Sequence, residues 1–457
     1  MACSPRLIGA RLEMTSAHAS SAGLIACHEC DLLLRDPLPR HAPRSTSGAL
    51  PRVAEVLCPR CGARIYRASH ASLNQALALV LAAAIVFLIA NAFPIASIDA
   101  QGHNNDTTLL GAVRLLWQQD MVLIAILVCV TTVIIPALEL LVFGTVLLLL
   151  RLGHPLDSLR RLPWVLRMVL HTRPWSMIEV FMLGVLVSLV KLSHLASLTP
   201  GVALWAYAVL MLLLAALSNS VNLRKLWAAL PFQQALRTED ATQPVIAGRE
   251  PTAASQGWLS CHVCGLLTPR ASQYQACPRC AAPLHTRIPS SLITAWALLI
   301  AAAILFLPAN LLPIMETGSM FGFQRDTILS GVVFLWESGS WPLALLVFVA
   351  SIVVPLFKLL MLGGLLLSVQ LGWQGHRHAR SRLYRVLEFV GRWSMLDIYV
   401  VTMLSALVQI QSLATIAVGS GAVAFGGVVV LTMLATLRFD PRLIWDAGVS
   451  EDKLNHG

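Results

Sequence analysis

The sequence predicts an all-α polytopic membrane protein: two parallel repeats of four transmembrane helices, each preceded by a small zinc-ribbon or rubredoxin-like module. Three observations carry this fold class. Eight apolar runs are each near or above the ~20 residues needed to cross a hydrocarbon core. Unusual strings recur at an offset of about 220 residues. Two pairs of Cys-x-x-Cys knuckles precede the first and the fifth run.

The apolar runs lie at 72–95, 121–150, 176–195, 201–222, 291–314, 342–370, 394–412 and 414–436. With 57% hydrophobic and 12% charged residues, the chain has too little polar surface for a string of water-soluble globules. The formal charge of +10 does not indicate nucleic acid, because of where the cations sit. All but four of the 33 Lys and Arg fall in short segments between runs or at the chain ends, and the others are Arg114, Lys191, Arg325 and Lys358. Alternating sides from a cytoplasmic start puts every basic segment inside, the positive-inside pattern. The first 70 residues hold no apolar core of signal-peptide length, so both termini are expected in the cytoplasm. The segments 97–119 and 316–340 are then expected as outer loops.

The repeat is read from paired strings. Asn91-Ala-Phe-Pro94-Ile matches Asn310-Leu-Leu-Pro313-Ile, and Pro136-Ala-Leu-Glu139 matches Pro355-Leu-Phe-Lys358. Trp175-Ser-Met-Ile-Glu179 matches Trp393-Ser-Met-Leu-Asp397, and Arg224-Lys-Leu-Trp227 is echoed by Arg442-Leu-Ile-Trp445. An even number of spans per unit makes the repeats parallel, with a pseudo-two-fold axis along the membrane normal. The expected division is tail and first ribbon at 1–70, first membrane module at 71–228, linker at 229–256, second ribbon at 257–288, second membrane module at 289–446 and tail at 447–457.

Cys27, Cys30, Cys58 and Cys61 form one set of thiols, and Cys261, Cys264, Cys277 and Cys280 the other. Paired knuckles let four thiolates converge on a borderline-soft cation, which suits zinc, two per chain. A rubredoxin-like iron and reversible dithiol chemistry stay open on spacing alone. A four-thiolate site has no open position for a catalytic water, so the modules read as folding units.

Ionisable residues inside apolar spans are functional candidates. Glu139 and Lys358 hold equivalent places three residues after a proline in the second span of each repeat. That proline frees the carbonyl of Thr132 in one half and Ser351 in the other. Ser351, Pro355 and Lys358 share a helix face, as do Ser176 with Glu179 and Ser394 with Asp397 in the third spans. Thr432 in the last span adds a polar candidate where the first repeat has Leu214. The second repeat thus offers a Lys–Asp pair, and the first two acids that cannot pair as ions. Trp175 and Trp393, beside Arg173 and Arg392, fit interfacial anchors.

The combination of duplicated Cys-x-x-Cys pairs, Asn-x-x-Pro-Ile, Pro-x-x-Lys and Trp-Ser-Met-[Leu/Ile]-[Asp/Glu] resembles the paraquat-inducible protein A family, including its lipid-transport (LetA-type) members. The resemblance covers nearly the whole chain. It implies a Gram-negative inner membrane, metal-binding ribbons in the cytoplasm, and phospholipid traffic through a periplasmic partner bearing MCE domains. It also implies a polar network in the second module, falling here on Ser351, Lys358, Ser394, Asp397 and Thr432. Two features depart from the pattern: the first ribbon has a long stretch of 27 residues between its knuckles, against 12 in the second, and the first module lacks the lysine. No Walker A, GxGxxG or Ser–His–Asp pattern is evident, which points to a transport protein rather than an enzyme. A membrane-bound redox sensor using the knuckles, or a plain anchor for the partner, are the alternatives.

Overall fold

A computed structural model describes residues 24–35, 55–67, 72–100, 103–152, 162–193, 197–221, 226–227, 251–319, 322–339, 341–407, 409–410 and 414–446. The tails and most of the 229–256 linker lie outside the described residues. The first ribbon is two hairpins, β1 (Leu24–Ala26) with β2 (Leu33–Arg35) and β3 (Glu55–Leu57) with β4 (Arg64–Arg67). The first membrane module follows with α1 (Leu73–Ala92), β5 (Ala96–Ala100), β6 (His103–Thr107), α2 (Leu109–Gln118) and α3 (Val122–Cys129). It continues through a π-turn at Val130–Ile134 into α4 (Ile135–Leu152), then α5 (Leu162–Thr172), α6 (Ile178–Ser193), β7 (Ser197–Pro200) and α7 (Val202–Ser220).

The second half repeats this order. After β8 (Trp258–Ser260) and β9 (Leu267–Pro269) come α8 (Ser291–Leu311), β10 (Met315–Ser319), β11 (Gly322–Asp326), α9 (Ile328–Glu337) and α10 (Trp341–Phe348). A second π-turn, Val349–Val353, leads to α11 (Val354–Gln370), α12 (Arg377–Trp393), α13 (Leu396–Leu407), β12 (Gln409–Ile410), β13 (Ala414–Val418), α14 (Ser420–Arg438) and α15 (Leu443–Asp446).

Local rules explain the main boundaries. Ser72 caps α1 by accepting from the Gln75 amide at 3.2 Å, while the Gln75 side chain accepts from the Ser72 amide at 2.9 Å, a reciprocal capping box. Twenty residues at ~1.5 Å each span a hydrocarbon core. Pro94 and Pro313 end the first spans, and the Nδ2 of Asn91 and of Asn310 each donate 2.8 Å back to their own helix. The fourth span of each module then starts against that exit. A Cβ on Gly201 or Gly419 would stand 2.2 Å from the carbonyl oxygen of Pro94 or Pro313, so only glycine fits.

Among the described residues, seven helices are long and apolar enough to cross a membrane. The run at 394–412 differs: its helix, α13, has 12 residues and spans only about 18 Å. The equivalent segment of module 1 reaches span length by running α5 into α6, Leu162–Val190. In module 2 a break at Ser394–Met395 separates α12 from α13. The end of α12 next to this break exposes Val386, Phe389 and Trp393.

The described residues of the segments expected as outer loops form strands and helices rather than loops. In module 1, β5 pairs with β6 and β7; in module 2 the order is β11-β10-β13-β12, all antiparallel. Arg114 sits on α2 and Arg325 on β11. The start of the last apolar run, Ala414–Val418, is strand β13 rather than helix. Its β-branched residues are as apolar as a span, so hydropathy did not separate them, and the break comes at Gly419. Ribbons lie at one end of the helices and sheets at the other.

The modules meet along α6 and α13. A Cβ on Gly184 would lie 2.8 Å from the Tyr399 Cβ, and Ser188 Oγ donates 3.2 Å to the Val400 carbonyl. This is the small-residue packing with interhelical hydrogen bonding typical of membrane helices. Tyr399 donates 2.9 Å to Thr131 Oγ1, and Phe181 packs edge-on between Tyr207 and Tyr399.

Candidate metal ribbons and a buried polar site

Each knuckle is one hairpin turn repeated four times. The first cysteine amide donates across the turn to a carbonyl five residues on, as in Cys27 to Leu32, Cys58 to Ala63, Cys261 to Leu266 and Cys277 to Ala282. The residue after the second cysteine is left-handed every time: Asp31 (φ 61°), Gly62 (74°), Gly265 (69°) and Ala281 (56°). That turn aims two thiols at one point. All eight knuckle thiols are buried, and each set lies within 4.8 Å. Between knuckles, Cys27–Cys61 lie 3.6 Å apart and Cys30–Cys58 3.5 Å, with 3.5 and 3.6 Å for Cys261–Cys280 and Cys264–Cys277. A metal ~2.3 Å from each sulfur in a tetrahedron needs S···S separations of about 3.8 Å, so both sets can hold a metal ion.

The ribbons are cross-docked. Arg385 on α12 of module 2 donates 3.0 Å to the Cys61 carbonyl of ribbon 1 and 2.6 Å to Glu29. Its repeat equivalent, Arg167 on α5 of module 1, donates 3.1 Å to the Ala281 carbonyl of ribbon 2. Each ribbon therefore rests on the third-span helix of the opposite repeat. Ribbon 1 also shares a core with Leu299, Leu362, Leu387, Phe439 and Trp445 of module 2, with Arg60 stacked 4.5 Å over the Trp445 ring.

Asp31 ties the ribbons together. Its main-chain carbonyl accepts from Ala253, its carboxylate accepts from the Ala254 amide and Arg287 (3.3 Å), and Arg442 forms an ion pair with it at 3.8 Å. Burial pushes the Asp31 carboxyl above the usual range, and Arg287 and Arg442 pull it back. Arg287 also grips Asp446 at 2.9 Å, and Arg442 Nε donates to the His28 carbonyl.

In module 2, Lys358 is buried at 1% exposure and its Nζ donates 2.8 Å to Thr432 Oγ1 on α14. Thr432 donates onward to the Val429 carbonyl. Ser394 is buried too, and its Oγ has no hydrogen-bond partner among the described residues. Ser351 Oγ donates 2.6 Å to the Val347 carbonyl within its own helix. Asp397 lies on the backbone of α13, and its side chain, like that of Arg392, lies outside the described residues. Around Pro355 the helix shifts register: the Val354 amide bonds to Val349, five residues back, giving a π-turn. Module 1 does the same at Ile135 to Val130, with Thr132 Oγ1 donating 2.6 Å to Val128.

Module 1 keeps the geometry with other charges. Glu139 is buried, and Arg173 Nε lies 3.3 Å from its Oε1. Glu139 thus has a partner that sequence reasoning assigned to interfacial anchoring; only the three-dimensional approach of α4 to the α5–α6 turn brings them together. Glu179 is exposed in the first turn of α6. Leu214, opposite the place of Thr432, is half-buried and apolar.

Residues 73–231 and 292–448 match the family model of paraquat-inducible protein A. The chain belongs to the paraquat-inducible protein A family. Its relatives include the intermembrane transport protein PqiA of Escherichia coli K12, 33% identical over 94% of this chain and 97% of that protein. The lipophilic envelope-spanning tunnel protein A of the same strain is 30% identical over 92% of this chain and 91% of that one. The probable intermembrane transport protein of Haemophilus influenzae is 29% identical over 92% and 95%. No solved structure matches. The family match falls on the two membrane modules, the parts that carry Lys358 and Glu139.

Proposed function

We propose that this chain is an inner-membrane subunit of a lipid-transport system, passing phospholipid between the inner membrane and a periplasm-spanning MCE-domain partner. In this reading both termini and both ribbons face the cytoplasm, and the sheets face the periplasm. The names of the relatives support intermembrane transport, and the distribution of Lys and Arg supports the orientation. One observation carries the working site: a lysine enclosed within a span and held only by a threonine hydroxyl among the described contacts. A buried cation is retained in a membrane helix where its charge or proton is used. Lys358, Thr432, Ser394, Ser351 and Asp397 form that site in this reading, and a change of charge on Lys358 shifts the packing of α11 against α14. Glu139 and Glu179 belong to module 1, which serves as scaffold.

The ribbons hold zinc as structural staples, supplying cross-links that a small hairpin domain cannot obtain from its core. Convergence of all four thiols of each set within 4.8 Å favours a ligand cage over a pair of separate redox dithiols. Replacing Lys358 or Asp397 by alanine in cells that depend on this chain tests the reading. The expected result is a loss of envelope integrity at normal protein level; unimpaired lipid handling would remove the network from the mechanism.

A further inference from the structure

Repeat equivalence pairs Glu139 with Lys358 and Arg173 with Gly391. The structure brings each pair together in space by the same approach of the third-span helix to the second. In module 1 the side chain at 173 reaches Glu139 and forms an ion pair at 3.3 Å, with Glu139 buried. In module 2 there is no side chain to do so. Gly391 is buried on α12, and a Cβ built on it would stand 3.9 Å from Lys358 Nζ and 4.0 Å from its Cε. Those distances are ordinary van der Waals contact. The backbone at 391 is therefore the wall over the ammonium, and any longer side chain there would lie against it.

We propose that position 173/391 decides which module carries a movable charge. Arg173 locks the polar site of module 1 with an internal counter-ion, and Gly391 places none at the equivalent position of module 2. Gly391 is thus a positioning residue for Lys358, and the inference rests on the reading of Lys358 as the working group. The chemistry favours this division. A buried ion pair fixes two helices in one arrangement, because separating the partners strands both charges. Among the described contacts Lys358 is held by a hydroxyl, which keeps its donor geometry without supplying an opposite charge, so a mobile anion can answer it.

The consequence is that module 2 can be converted into a copy of module 1 with the signs exchanged. Gly391→Asp places a carboxylate within reach of the ammonium, and Gly391→Asn supplies the same bulk without charge. In cells lacking the native gene and at matched protein level, Gly391→Asp is expected to lower envelope function at least ten-fold relative to Gly391→Asn. The purified full chain should show the lock directly. Gly391→Asp should melt several degrees above Gly391→Asn, and the difference should vanish when Lys358→Met is added to both.

Equal function of the Asp and Asn variants, with the thermal coupling present, would overturn the proposal. If Lys358→Met is itself harmless, the functional reading fails rather than this one. Should Gly391→Asp not accumulate, the other half of the claim decides. Arg173→Gly should lower the melting temperature, with Arg173→Lys recovering part of the loss and transport per molecule remaining above that of Lys358→Met. A silent Arg173→Gly, or one that abolishes transport as Lys358→Met does, would contradict it.

Discussion

At the scale of single residues, the structure turns on places where one atom more or one charge fewer has nowhere to go. Gly201 and Gly419 sit against the carbonyls that end the preceding spans, 2.2 Å from where a Cβ would be. Gly201→Ala and Gly419→Ala must shift backbone against backbone, so each is expected to cost about 3 kcal/mol, measured as a lower melting temperature in detergent. Asp31 is the opposite case, a buried carboxylate that answers two arginines. Asp31→Ala leaves Arg287 with Asp446 and strips Arg442 of a charged partner. A loss of roughly 2–4 kcal/mol is expected, read from the thermal stability of the purified chain. Some of this was legible beforehand. The eight thiols announce their cage by spacing alone, because the turn that aims them is local. Asp31 gave no such signal, since its partners come from residues more than 200 positions away.

At the scale of elements, cross-docking gives each ribbon a helix to hold. Arg385 makes two strong contacts from α12 to ribbon 1, whereas Arg167 makes one exposed bond from α5 to ribbon 2. Arg385→Ala is therefore expected to speed amide exchange along α12 and ribbon 1, at a cost of roughly 1–3 kcal/mol, and Arg167→Ala to do less. Equal protection in both variants would deny the ribbon its hold on α12. The helices were readable as apolar runs, but not where a run stops being helix. Ala414–Val418 is apolar enough for a span and pairs as a strand because Met315–Ser319 offers it an edge. Likewise Pro136 and Pro355 signalled a disturbed helix, and the form it takes, a π-turn, depends on packing that no local rule contains.

At the scale of the whole molecule, the duplication has been kept in geometry and changed in chemistry. The sheets, the π-turns, the glycine starts of the fourth spans and the arginine contacts to the ribbons recur in both halves. The buried charge does not: it is an acid with its own arginine in module 1 and a lysine on a hydroxyl in module 2. Ribbon 1 and the end of α14 meet in one core, whereas the thiols of ribbon 2 join the core that holds module 1, so each four-cysteine set is part of a membrane module's cooperative unit. Removing metal with a strong chelator is expected to release two ions per chain by elemental analysis and to lower the melting temperature of the membrane part as well as that of the ribbons. An unchanged membrane transition would separate the two. The parallel repeat and the unequal charges of its two halves could be read from recurring strings; that Arg173 meets Glu139 could not, because the two lie on different elements brought together in space.

The central claim is that Lys358 carries the transport step and the charge in module 1 does not. It is tested most directly by the transfer of labelled phospholipid from proteoliposomes of phosphatidylethanolamine and phosphatidylglycerol, containing the full chain, to the purified MCE-domain protein proposed as its partner. Lys358→Met is expected to lower the rate at least ten-fold, and a Glu139→Gln, Arg173→Gln double variant by no more than about two-fold per folded molecule. Equal rates for Lys358→Met and the native chain, or a loss confined to the module 1 variant, would contradict the account.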